Sequence, residues 1–255
     1  MSSDLARRGW PAGYGRVILD QTDSTNAEAA RRAPGLTAPE WILARHQNAA
    51  RGRRGRPWAM PAGNFAATLV MHPAERPEIV ALRSFVAALA LHDAFVAVTG
   101  RAEPFSVKWP NDVLLNGGKV AGILLESTGQ GPRVSHLAIG IGINLAAAPE
   151  AAQVEPGATR PVSLIAETGA RVTPEEFLDL LAPAYAARET LFTTQGFAPI
   201  REAWLQRAAR IGEEIVARTT HESIPGTFET VDAMGNLVLN TAKGRRAIPA
   251  AEVFF

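Results

Sequence analysis

Between two apolar runs of β-type residues, Trp41 to Gln47 and Asn64 to Met71, the chain carries Arg51-Gly52-Arg53-Arg54-Gly55-Arg56. Four guanidiniums in six residues repel one another and gain nothing from a hydrophobic core, so the chain must leave its sheet here. The glycines allow the backbone to bend and to approach a ligand closely. Arginine's planar fork suits phosphate and carboxylate oxygens. Taken alone, the segment reads equally as a solvated basic loop or nucleic-acid patch, or as a loop that folds over an anionic ligand and is ordered by it.

Charge balance narrows the first reading. The 255 residues sum to a formal charge of +1, so any preference for a polyanion must be local. With 47% apolar and 20% charged residues the chain can bury a core of ordinary size. It has no cysteine, which removes a disulfide framework, a thiolate zinc site and a cysteine nucleophile. The first residues, MSSDLARRGWPAGYGRVILD, lack an apolar leader segment, and the apolar run Phe85 to Val98 is interrupted by His92 and Asp93. A soluble, cytoplasmic protein is expected.

Along the chain, Arg16 to Asp20 reads as a strand. Asp23-Ser24-Thr25-Asn26 then begins a helix, and Thr25 with Glu28 fits a capping box. Pro77 to Val98 has helical spacing. Phe105 to Trp109, Val113 to Leu115, Lys119 to Glu126 and Val134 to Ile143 are β-compatible runs, the second and third joined by a hairpin signal, Asn116-Gly117-Gly118. Segments 163–169, 174–194 and 197–209 read as helices, the second capped by Thr173-Pro174. From about Ile211 the texture changes to short strands: Glu214 to Thr219, Gly226 to Val231, Asn236 to Asn240 and Arg245 to Pro249. The fold class is therefore α+β, with a large domain over 1–209 and a small β-barrel over 210–255.

Two further clusters carry chemistry. Lys108-Trp109-Pro110-Asn111-Asp112, with Lys119 and Gly122 following, gathers two cations, an amide and a carboxylate. It is a strand-terminating turn with Lys108 in solvent, or a site where lysines neutralise an anion and Asp112 holds a metal or a proton. Gly140-Ile141-Gly142-Ile143-Asn144 alternates glycine with isoleucine, as a strand does when one face must stay bare. A close backbone contact explains it equally well, and Asn144 either bonds a nucleotide or caps a turn.

In this order, Asp23-Ser24-Thr25-Asn26, Gln47 with the arginine loop, Lys108 to Asp112, Lys119-Val120-Ala121-Gly122-Ile123-Leu124 and Gly140 to Asn144 resemble the catalytic domain of biotin protein ligases from about residue 16 onward. Ala50 stands where that family's loop usually begins with glycine. The resemblance implies a catalytic domain like that of class II aminoacyl-tRNA synthetases, a mixed, largely antiparallel sheet with flanking helices, and an SH3-like C-terminal barrel. It implies the monofunctional type, because an Asp-Ser-Thr-Asn block at residue 23 leaves no room for an N-terminal DNA-binding domain. It also implies activation of biotin by ATP to biotinyl-5′-AMP and transfer to a lysine of a biotin carboxyl carrier domain, that of acetyl-CoA carboxylase by default. The protein is expected as a monomer or homodimer, with Mg2+ and without DNA or membrane.

Lys119, Arg51 and Asp112 are then the expected catalytic residues, with Asp112 also a candidate magnesium contact. Ser24, Thr25, Asn26, Gln47, Gly52, Arg53, Arg54, Lys119 and Gly122 would hold biotin. Arg51, Arg53, Arg54, Arg56, Trp58, Lys108, Asn111, Asp112 and Asn144 would hold ATP. Three alternatives remain at this point: a lipoate or octanoate transferase of the same superfamily, a nucleic-acid-binding module using the arginine loop, and a pseudoenzyme.

Overall fold

A computed structural model describes residues 9–130, 133–150, 154 and 157–254. The reading of residues 1–8 as free of a leader segment lies outside them. Seven strands form the main sheet: β1 (Gly15–Thr22), β2 (Glu40–Gln47), β3 (Phe65–Met71), β4 (Phe105–Lys108), β5 (Asp112–Leu115), β6 (Gly118–Gln130) and β7 (Arg133–Ile143). Their order is β1-β2-β3-β7-β6-β5-β4. Only β1 and β2 run parallel; every other neighbouring pair is antiparallel. The sheet is thus mixed, as expected.

Strand alternation decides what each face of this sheet does. Trp41, Leu43, Leu69, Leu137, Ile139, Ile141 and Ile143 point to one side and join the main core. There they meet helices α3 (Arg83–Thr99), α5 (Pro174–Gln195) and α6 (Phe197–Leu205). Edge-to-face aromatic pairs fasten these layers: Trp41 with Tyr185 at 5.9 Å, Phe65 with Phe177 at 5.5 Å and Phe85 with Trp204 at 5.2 Å between centroids. The opposite face is covered over a small area only. Ile42, Val70 and Ala138 pack there against Ala29 and Ala33, at helix α1 (Thr25–Arg32) and just beyond it. The rest of that face carries Thr68, Gly122, Gly140 and Gly142, in paired register: Thr68 opposite Gly140, and Gly142 opposite Gly122.

Several local expectations are corrected. The capping box at Thr25 does not form. Ser24 occupies the cap position without a side-chain cap bond, the Thr25 hydroxyl bonds Thr68 and Gln47 rather than a first-turn amide, and Glu28 pairs with Arg31 instead. The helix expected over 77–98 is divided into α2 (Pro77–Ala81) and α3, because the amide of Leu82 bonds the carbonyl of Ile79 in a tighter turn. By length and composition Pro77–Thr99 could span a bilayer, yet 72% of that window is buried inside the fold, as in a core helix. The helix expected to Ala209 stops at Leu205, since Arg207 and Ala209 bond instead to Val107 along the free edge of β4. By contrast, the Thr173 cap forms a complete capping box with Glu176. The β5–β6 turn has Asn116 and Gly117 both left-handed, as a two-residue hairpin requires.

After the short α4 (Leu164–Thr168) and the helices above, strands β8 (Glu214–Arg218), β9 (Ser223–Val231), β10 (Leu237–Thr241), β11 (Gly244–Ile248) and β12 (Glu252–Phe254) make a second, antiparallel sheet of order β11-β10-β9-β8-β12. The last strand was not visible in the sequence pattern. This sheet is joined to the larger one beside the Lys108 to Asp112 corner: the indole N–H of buried Trp109 donates to the carbonyl of Gly235 at 3.0 Å.

Candidate active site

The bare half of the sheet's second face is the floor of a cleft of about 380 Å³. Four structural units wall it. The first turn of α1 brings Ser24, Thr25 and Asn26, and the end of β2 brings Gln47. The arginine loop brings Arg51, Gly52, Arg53, Arg56 and Trp58. The β4–β5 corner with β6 brings Lys108, Asn111, Asp112, Lys119 and Gly122. Asn144 closes one end, and Glu252 to Phe254 of β12 reach in from the C-terminal sheet. The expected site residues are therefore gathered in one place with a single exception. Arg54 is not part of the wall; it turns outward and pairs with Glu252 at 3.5 Å.

The glycine alternation of β7 has a definite cause. A Cβ on Gly142 would lie 2.7 Å from the Trp58 indole, and one on Gly122 would lie 3.2 Å from the same ring. A Cβ on Gly140 would collide with the Asn26 amide. The strands are bare because one side chain from the loop and one from α1 must lie flat on them.

At one end the cleft is polar but uncharged. Gln47 accepts from the Thr25 backbone N–H at 2.7 Å, which fixes its amide orientation and lets its NH2 donate to Met60 Sδ at 3.6 Å. Asn26, 5% exposed, accepts from Thr68 at 2.7 Å and donates to Glu126 at 2.7 Å.

The other end is cationic. Lys119 Nζ is 2.7 Å from Asp112 Oδ1 and 5.5 Å from the centre of the Trp58 ring. Lys108 is buried rather than in solvent and donates to Thr159 at 2.6 Å. Burial lowers its pKa below the ordinary lysine range, and the Lys119 charge adds to this while Asp112 opposes it. Burial likewise lowers Arg53, against Asp112 and Glu252. Asn111 donates to the carbonyl of Ile123 and receives a long contact from Arg53 at 3.4 Å. Asn144 is 2% exposed; its NH2 is spent on Val162, but its oxygen has no partner among the described residues. A buried acceptor left open in this way invites a ligand donor.

The arginine loop is a closed hairpin. Trp58 N–H bonds the Ala50 carbonyl, Gly52 N–H bonds the Arg56 carbonyl, and Arg51 bridges Pro57. Its tip uses two consecutive left-handed residues, Arg54 at φ 58° and Gly55 at φ 72°. The glycine fits that angle freely, while the arginine carries a local strain of about 1 kcal/mol. Ala50 is not left-handed, so glycine is not needed where the family usually has one.

Three site groups escaped the sequence reading. Thr68 is fully buried on β3. Glu126 receives both Asn26 and Arg51. Glu252 receives Arg56 at 2.6 Å. A signal existed for Glu126, since counting by twos from Gly122 through Leu124 puts it on the cleft face. None existed for Glu252, which lies on a strand the pattern did not mark.

The chain matches the biotin/lipoate A/B protein ligase family over residues 14–144 and the biotin protein ligase C-terminal domain over residues 211–255. It is 61% identical over 238 residues to the biotin–[acetyl-CoA-carboxylase] ligase of Paracoccus denitrificans, covering 93% of this chain and 99% of that relative. To the bifunctional ligase/repressor BirA of Bacillus subtilis it is 30% identical over 92% of this chain and 71% of the relative. Among solved structures, the biotin protein ligase of Aquifex aeolicus in complex with biotin and ATP superposes with a TM-score of 0.78 at 24% identity, over 94% of this chain and 97% of that one, and so shares its fold. The cleft, the loop over it and the second sheet beside it are those of a chain that belongs to the biotin/lipoate A/B protein ligase family, among its biotin protein ligases.

Proposed function

We propose that this cleft joins biotin to ATP and then passes biotin to a lysine of a carrier domain. The observation that carries the reading is the division of one cleft into a neutral polar end, at Ser24, Thr25 and Gln47, and a cationic end, at Arg51, Arg53, Lys108 and Lys119. A ureido ring asks for neutral hydrogen-bonding groups. A carboxylate and a triphosphate, which repel each other, ask for fixed cations between them. In the first step a biotin carboxylate oxygen forms a bond to the α-phosphorus and the bond to pyrophosphate breaks. In the second the acceptor ε-amine forms a bond to the acyl carbon, AMP leaves, and the amine loses a proton.

In this reading the Gln47 NH2 and the Ser24 and Thr25 hydroxyls bond the ring, while Gly52 and Arg53 close over it. Arg51 and Lys119 neutralise the reacting oxygens. Trp58, Lys108, Asn111 and the open oxygen of Asn144 take the nucleotide, with Arg56 at the rim. Lys119 is 2.7 Å from Asp112. That carboxylate would take the proton of the acceptor lysine, a group mostly charged at neutral pH with its ordinary pKa at about 10.4. Magnesium suits the same place. No cluster of three or more metal-ligating side chains occurs among the described residues, and magnesium binds through one or two carboxylates plus phosphates while keeping several waters. Asp112 would be its protein contact, and its charge would offset that of the triphosphate.

We assign 1–209 to catalysis, with the α+β core of class II synthetases, and 210–255 to an SH3-like barrel. The acceptor would be the biotin carrier of acetyl-CoA carboxylase, after the activity that names the Paracoccus relative. The test is incubation with biotin, magnesium ATP labelled at the α-phosphate and a carrier domain. Labelled adenylate that needs biotin, followed by one biotin of added carrier mass, supports the reading. Adenylate with lipoate or octanoate but not biotin overturns the choice of acid.

A further inference from the structure

One short segment, Thr159 to Leu164, is tied to three cleft residues that come from three different elements. Thr159 accepts from Lys108 Nζ, at the end of β4, at 2.6 Å. The Arg160 carbonyl accepts from the backbone N–H of Lys119 at 2.8 Å, and Val162 N–H returns a bond to the Lys119 carbonyl at 3.0 Å. The Val162 carbonyl receives the side-chain NH2 of Asn144 at 3.1 Å, and Leu164 N–H donates to the backbone carbonyl of Asn144 at 2.8 Å. The segment thus runs beside the start of β6 in parallel register, with Pro161 against Lys119. The approach is close: a Cβ on Gly118 would collide with the Val162 side chain and lie 3.1 Å from the Arg160 carbonyl oxygen. Paired backbone therefore sets where the Thr159 side chain stands.

The direction of the Lys108–Thr159 bond is forced. An ammonium has three donors and no acceptor, so the hydroxyl oxygen accepts and its own proton must find another partner. Thr159 lines the cleft, and that proton has no acceptor among the described residues. A hydroxyl that accepts from a cation is polarised and donates more strongly in turn. We propose that Thr159 is a phosphate-binding residue: held by Lys108, it donates its hydroxyl proton to a phosphoryl oxygen of ATP, so that ammonium and hydroxyl act as a pair. This rests on the reading above that the triphosphate lies at the cationic end. The bond also serves Lys108. Burial and the Lys119 charge disfavour its ammonium, while Asp112 and Glu252 favour it. A hydroxyl oxygen at 2.6 Å favours it further, because a hydrogen bond from a charged donor is the stronger one. Thr159 therefore helps to keep a buried lysine charged beside the nucleotide.

The experiment uses the full chain and two variants. Thr159→Val keeps the branched shape and loses the hydroxyl, and Thr159→Ser puts the hydroxyl back. In adenylate formation at varied magnesium ATP, Thr159→Val should raise the KM for ATP about tenfold, the loss expected for one hydrogen bond to a charged group. Its rate at saturating ATP, and its biotin affinity without ATP, should stay close to wild type. Thr159→Ser should recover most of the loss. A second measurement needs no nucleotide. The chain has three lysines, Lys108, Lys119 and Lys243, so protein isotope-labelled at the lysine ε-carbon gives few resonances to follow through an alkaline titration. Lys108 should lose its proton at lower pH in Thr159→Val than in wild type and return toward wild type in Thr159→Ser, while Lys243 stays where it was. A wild-type KM for ATP in Thr159→Val overturns the phosphate contact, and a wild-type Lys108 titration in that variant overturns the pairing that directs it. A wild-type protein that forms no biotin-dependent adenylate would instead overturn the functional reading, and the lysine titration would still decide whether Thr159 holds Lys108.

Discussion

Glu252 Oε1 sits 2.6 Å from Arg56 Nη1 and 3.5 Å from Arg54 Nη1, so the last strand of the C-terminal sheet is fastened to the arginine loop. The neighbouring Ala251 carbonyl receives Arg53 at 3.4 Å. The small sheet thus has a structural connection to the cleft: it holds the tip of the loop that covers it. Burial acts to raise the Glu252 pKa, but the Arg56 hydrogen bond and the Arg54 and Arg53 charges outweigh it, and the carboxyl lies below its ordinary range.

Glu252→Gln is therefore expected to loosen the loop without unfolding the protein, because the side chain pairs with loop arginines rather than with the core, and part of the guanidinium contact survives as a neutral hydrogen bond. A reactive anhydride must be kept from water, so the variant should release or hydrolyse preformed biotinyl-5′-AMP faster than wild type at temperatures where both proteins remain folded. Equal retention would show that the loop is held by other means. The sign of the pH effect follows from the depressed pKa. The latch is fully present above the ordinary glutamate value near ~4.3 and fails as pH falls through the lower folded value. Retention should then be flat from weakly acid to neutral pH.

The Lys119–Asp112 pair gives a second expectation. A positioned cation aimed at developing phosphoryl charge is worth a factor of roughly 10²–10³ in rate. Lys119→Ala should lower single-turnover adenylate formation by about that much, with a smaller change in biotin affinity. Lys119→Arg should restore little of it, because a planar fork does not replace a compact ammonium. If Lys119→Ala raised only the KM for ATP and left the single-turnover rate intact, Lys119 would be a binding group and no more.

How far the site could be read beforehand depended on whether chemistry coincided with pattern. The Gly140–Gly142 alternation announced a bare strand face correctly, because the period of a strand is visible in sequence. What lay on that face, Trp58 and Asn26, was not visible, since neither is near it along the chain. The helix over 174–194 was legible from its cap, whereas the one expected to Ala209 ended early because the edge of β4 competed for the same backbone groups. Tertiary competition of that kind leaves no local trace. Thr68 reads as an ordinary β-branched strand residue, and only the buried amide beside it makes its hydroxyl matter. Arg54 looked like its neighbours, yet a left-handed backbone turns it away from the cleft.

Gly142→Ala tests the Trp58 platform. The added methyl would sit 2.7 Å from the indole, so the ring must lift off the sheet. If that ring is the stacking face for adenine, the KM for ATP should rise about tenfold or somewhat more, in line with ~1–3 kcal/mol for one base on one aromatic ring. Biotin binding measured alone should change far less. An unchanged KM for ATP would remove Trp58 from the nucleotide site.

Lys108 supplies a prediction with two signs. Its pKa is lowered chiefly by burial, so in the folded protein it loses its charge at a pH where an exposed lysine would still be protonated. If it neutralises phosphate, the KM for ATP should climb on the alkaline side before free lysines titrate. In the same window the unfolded chain binds more protons at this position than the folded one, so the contribution of Lys108 to stability rises with pH. Nucleotide affinity and this share of stability should then move in opposite directions, whereas general alkaline unfolding would lower both. Lys108→Arg keeps its charge throughout and should flatten the alkaline rise in KM. Should that rise persist unchanged in Lys108→Arg, another group is titrating and Lys108 does not touch the triphosphate.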